Sequence, residues 1–160
     1  MAGYPLTGLL RIRDFRLDAA QQAQCAAEAA LQSAIAEKEE KARELARYKK
    51  WRVQEVERRY ARILMRKMTM EALDKFKAGL SQLADEELAR EGEILEADKR
   101  LVDARNALNA ARTAFTHANQ AREKILYHRD VWRQEEAKET ARAEDREMEE
   151  FKPLVFVEED

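Results

Sequence analysis

From Leu73 to Trp132, apolar residues return at alternating steps of three and four. The stops are Leu73, Phe76, Leu80, Leu83, Glu87, Arg90, Ile94, Ala97, Leu101, Ala104, Leu108, Ala111, Phe115, Ala118, Arg122, Ile125, Arg129 and Trp132. Most stops are apolar, and charged or polar residues fill the intervals. This is a heptad repeat, and it predicts one long helix with a narrow apolar seam. No proline interrupts the stretch; only Gly79 and Gly92 weaken it. Such a helix cannot bury its seam against itself, so another part of the chain must cover it.

The earlier half supplies a candidate. Pro5 restricts Tyr4 to extended geometry, Thr7 suits an N-cap, and nothing halts a helix over residues 8–67. Its apolar positions fall into two sets: Leu10, Leu17, Ala20, Ala27, Leu31 and Ala34, then Ile35, Ala42, Ala46, Val53, Val56, Tyr60 and Ile63. The sets do not share one heptad frame, which predicts a stutter that locally unwinds the supercoil. A turn is expected at 66–70, with Arg66 and Lys67 closing one helix and Thr69 capping the next. The second helix is expected over 70–151, ended by Pro153. A tail, 152–160, follows, with Leu154 to Val157 read as extended.

A fold-back near Met68 makes residues whose numbers add to about 137 face each other, and two patterns fit this antiparallel register. Alanines 19–30 meet alanines 107–118, and the basic run 41–67 meets the acidic run 70–98. A parallel pair of such chains would set like against like. The expected fold is therefore all-α, a single-domain antiparallel two-helix coiled-coil hairpin, roughly 90 Å long at 1.5 Å per residue. By the same register, Tyr4-Pro5-Leu6 packs around Trp132, and the second helix outruns the first from Val131 to Phe151.

Composition agrees: 39% of the 160 residues are charged and only 7% aromatic, as in long helices. The single cysteine, Cys25, excludes a disulfide framework and fits a small packing residue in a reducing compartment. No leader and no apolar run long enough to span a bilayer is present, which points to a cytoplasmic protein without membrane insertion. His117 and His128 lack metal-ligand spacing. No phosphate-binding glycine loop occurs, and a two-helix hairpin has no pocket for paired carboxylates to act as acid and base. Neither an enzyme nor a cofactor or metal is expected. The basic run is answered by the acidic one, so nucleic acid is not expected as a partner.

Residues off the seam point to partners instead. Tyr48 and Trp51 fall outside the Val53–Val56–Tyr60 stripe, and Met65, Met68 and Met70 gather at the turn. Trp, Tyr and Met favour interfaces. The unpaired end of the second helix carries Arg133, Lys138, Arg142 and Arg146 among more numerous carboxylates.

The opening Tyr4-Pro5-Leu6, with Leu10, Ile12-Arg13, Arg16 and Asp18-Ala19, resembles the start of the YscO family of type III secretion proteins. The close, with Arg122, His128, Trp132, Glu135, Glu136-Ala137-Lys138-Glu139 and Ala141-Arg142, is similar to that family's C-terminal helix. Arg13 stands where the family usually has Lys, and Ala20 where Glu is common. The resemblance implies a non-enzymatic stalk akin to flagellar FliJ and to the γ subunit of rotary ATP synthases. It implies binding in the pore of the hexameric secretion ATPase, a link to the cytoplasmic domain of the membrane export gate, and binding of secretion chaperones. The expected place is the cytoplasmic face of the inner-membrane export apparatus. On this resemblance the open end, with Trp132, Arg133, Lys138, Arg142 and Arg146, would meet the ATPase; the gathering of Tyr48, Trp51, Met65, Met68 and Met70 near the tip makes that region the expected contact for the gate. A flagellar export stalk and chaperone escort, or a generic coiled-coil scaffold, are the other readings.

Overall fold

A computed structural model describes residues 3–151; the expected extended tail and the stop at Pro153 lie outside them. Two helices account for nearly all of that span: α1, Thr7–Ile63, and α2, Met70–Glu150. They pack against each other as an antiparallel hairpin, as the charge and alanine patterns imply.

The N-terminus of α1 departs from the expected cap. The Leu10 amide donates to the Leu6 carbonyl, so Leu6 holds the cap position. The Thr7 hydroxyl instead donates to the Tyr4 carbonyl at 2.6 Å. At the other end α1 stops at Ile63, earlier than expected, because Met65 turns left-handed with φ 64°. Only then does Thr69 open α2, its hydroxyl accepting from the Ala72 amide at 3.2 Å, which satisfies an otherwise orphaned helix donor.

The packing divides the chain into two units. One joins the residues up to Gln22 to those from Thr113 onward; the other is Ala23–Arg112. On α2 every seam stop named above is buried or half-buried. The buried apolar residues are Ala34, Tyr48, Leu83, Ala97, Leu101 and Leu108, all in the second unit. Removing a Leu side chain from water is worth about 1.5–3 kcal/mol, so this short row supplies much of that unit's cohesion.

The stutter expected in α1 does not occur. Its packed stripe runs Leu10, Arg13, Leu17, Ala20, Gln24, Ala27, Leu31, Ala34, Lys38, Lys41, Leu45, Tyr48, Arg52, Glu55 and Arg59, one unbroken heptad frame. Of the second apolar set, Ala42, Ala46, Val53 and Tyr60 are exposed. The reason is electrostatic. Acidic side chains flank the α2 seam, and long basic side chains on α1 lay their methylene stems along the seam while their charged heads reach those acids. Lys38 bonds Asp98 at 2.6 Å, Lys41 bonds Glu93 at 3.2 Å, Lys49 bonds Glu91 at 3.6 Å, and Arg52 bonds Glu87. Glu37–Arg100 reverses the polarity at 2.9 Å.

Candidate functional site

No enclosed catalytic arrangement forms among the described residues, and no three ligand-type side chains converge. Three surfaces carry the residues singled out from the sequence.

The first is the aromatic site of the second unit. Tyr48 is not a surface residue, contrary to expectation: it is 7% exposed and belongs to the seam. Its hydroxyl donates to the Leu83 carbonyl at 2.8 Å and lies 3.1 Å from a Glu86 oxygen. Burial, then the Glu86 contact, pushes the phenol above its ordinary pKa, so it stays protonated and can donate. Trp51 leans on Tyr48 with ring centroids 5.5 Å apart and remains 42% exposed. On Tyr48's other flank the Arg90 guanidinium lies 4.6 Å from the ring centroid, within cation–π range. Tyr48 thus holds Trp51 and Arg90 at a shallow groove that Glu44 and Arg47 complete.

The second surface is the turn. Met65 and Met70 are well exposed, and Met68 is 37% exposed. At the same end of the hairpin the Tyr60 and Phe76 rings meet edge to face at 5.2 Å. The exposed methionines are flexible apolar side chains of the kind that suits adaptable contacts.

The third is the open end in the first unit. Tyr4 closes over α2 there. Its ring lies 5.5 Å from that of Trp132, and its hydroxyl is 2.9 Å from His128 Nδ1 and 3.4 Å from the Ile125 carbonyl. Asp14 pairs with Arg122 below this clasp. Trp132 is therefore half-buried under Tyr4 rather than open to a partner. Past it, every described residue of α2 except Glu136 is exposed, including Arg133, Lys138, Arg142 and Arg146. The Arg146 Nε–H donates to the Arg142 carbonyl at 3.2 Å.

Two further sequence readings change. Cys25 is exposed, because Gln24 takes the seam position beside it. His128 serves as a hydrogen-bond partner of Tyr4, a role its spacing did not reveal. Arg90 has a role that its place as a seam stop does not reveal. The clue was a cation at a seam position within reach of two off-pattern aromatics.

A family model described as type III secretion protein YscO matches residues 6–153. Among solved structures, a YscO homologue of Chlamydia trachomatis, CT670, is 26% identical with a TM-score of 0.74, covering 94% of this chain and 92% of that one. Type III secretion protein YscO of Vibrio parahaemolyticus is 24% identical with a TM-score of 0.86, covering 92% of each chain, and shows the same fold. No curated protein matches the chain.

Proposed function

The chain belongs to the YscO family of type III secretion proteins, and from that premise we propose that it is the coupling stalk of the secretion apparatus. The open end of α2 binds the hexameric secretion ATPase at the cytoplasmic face of the inner membrane. The methionine turn and the Trp51 groove bind the cytoplasmic domain of the export gate, and secretion chaperones are a further class of partner. The observation that carries this reading is the stretch beyond Trp132: a helix, exposed on all sides but at Glu136, with both signs of charge and no ion pair of its own among the described residues. A polar helix exposed all round normally needs a partner to stay folded. Its mixed charges favour orientation and on-rate over raw affinity.

Truncation after Trp132 tests it. The seam and the Tyr4 clasp remain, so far-UV circular dichroism and melting of the shortened chain should follow the retained helix. Stimulation of the cognate ATPase should disappear. Full stimulation by the truncated chain would place the ATPase contact elsewhere.

A further inference from the structure

The α2 carboxylates answer several cations along the basic run of α1, but not those of the turn. From 58 to 70 the chain has five cations, Arg58, Arg59, Arg62, Arg66 and Lys67, and no carboxylate. Arg58 and Arg59 turn back to Glu55. Arg62, Arg66 and Lys67 are exposed and enter no ion pair among the described residues. On the facing side Lys75 holds Glu71, while Asp74 and Lys77 are exposed and hold no ion partner among the described residues. Amid these charges stand Leu64 and Met65, 67% and 104% exposed. Met65 takes the left-handed backbone, φ 64°, where a glycine would carry no strain. Its side chain gains no packing within the hairpin in return and stands at a convex apex.

We propose that this apex docks on an anionic lipid surface. Arg62, Arg66 and Lys67 meet the negative headgroups, and Leu64 and Met65 enter the apolar layer just beneath them. Charge and exposure together select the occupant. Nucleic acid would satisfy the cations but offers no apolar phase to Leu64 and Met65. An acidic protein surface would need a cleft shaped to a convex apex. A lipid surface supplies negative charge and an apolar layer at once, and its headgroups rearrange around the cations. The long basic side chains can lay their stems in the interface while their heads stay among the headgroups. No helix of the described residues is long and apolar enough to cross a membrane, so the contact is made by side chains of the turn. Three cations and two apolar side chains give a reversible attachment, since firm anchoring takes stronger signals. The proposal goes beyond the coupling role. The gate assignment uses Trp51, Met68 and Met70, and lipid vesicles carry no gate, so either reading can fail without the other.

Cosedimentation of the full chain with vesicles tests it, phosphatidylcholine mixed with phosphatidylserine against phosphatidylcholine alone. The chain should bind the mixed vesicles and not the neutral ones, and added salt should weaken the binding. Arg66→Glu combined with Lys67→Glu should weaken it at least about tenfold, since each basic residue at such a surface contributes about a factor of five. Both positions lie outside α1 and α2, so helicity should be unchanged. Met65→Gly relieves the turn, yet should weaken vesicle binding severalfold, a loss that unfolding cannot explain. Equal binding to neutral and mixed vesicles, or binding to neither, would overturn the proposal. So would a Met65→Gly chain that binds as well as the parent, or a chain that ignores mixed vesicles and takes a nucleic acid or an acidic protein through Arg66 and Lys67.

Discussion

At the scale of single residues, the structure contains local costs that stability measurements can read. Met65 holds φ 64° with its side chain fully exposed. A residue with a Cβ is strained in that conformation by roughly 1–2 kcal/mol, and no packing offsets it. Met65→Gly should therefore raise the unfolding free energy by about 0.5–1 kcal/mol, once the greater freedom of glycine in the unfolded chain is deducted. Urea unfolding followed by circular dichroism checks this; an equal or lower midpoint would mean the turn is not strained. Two arginines of the first unit, Arg13 and Arg129, also bury an Nε with no hydrogen-bond partner. Leaving such a donor unmet costs about 1–3 kcal/mol. Arg13→Leu should stabilise the chain, with a raised thermal midpoint as the readout.

At the scale of the helices, cohesion is shared between a thin apolar seam and ion pairs beside it. Charged hydrogen bonds hold several carboxylates below their ordinary range: Arg43 and then Arg47 on Glu40, Arg58 and then Arg59 on Glu55, Lys99 on Glu96, and Lys38 on Asp98. Only the last joins α1 to α2. With a lowered native pKa, the unfolded chain takes up protons first as pH falls. The stabilisation is thus complete above the unfolded values, about 3.9 for Asp and 4.3 for Glu, and fades below them. The thermal midpoint should be level from neutral pH down to about pH 5 and fall below about pH 4. A midpoint that stays level into stronger acid would show that the apolar seam alone sets stability. Salt at neutral pH should weaken the same pairs only slightly, since each exposed pair is worth about 0–1 kcal/mol.

At the scale of the whole molecule, the surfaces assigned to partners differ in kind, and so do their tests. The gate assignment rests on Trp51, Met68 and Met70, all exposed. Their combined replacement by Ala should leave helicity intact and weaken capture of the gate's cytoplasmic domain about tenfold or more, as expected for aromatic anchors at an interface. Unchanged capture would remove the gate from this surface. Tyr48 is unsuited to that variant, because it ties α1 to the Leu83 carbonyl. Tyr48→Ala would open the seam and lose binding for the wrong reason.

Much of this protein was legible in its sequence. The stops on α2 all lie in the seam, and the antiparallel direction was written in the opposed charges of 41–67 and 70–98, because heptad period and like-charge repulsion act locally along a helix. Tyr4 packs against Trp132 as its place in the register implied. Only the tertiary structure decided which stripe of α1 faces α2. Counting apolar residues chose Val53 and Tyr60. The folded chain chose Lys41, Tyr48 and Arg52, because long side chains cover apolar surface and reach α2 carboxylates, or in the case of Tyr48 a backbone carbonyl, together. That choice buried Tyr48, left Ala42, Ala46, Val53 and Tyr60 exposed, and could not be seen in a pattern that counts a lysine stem as polar.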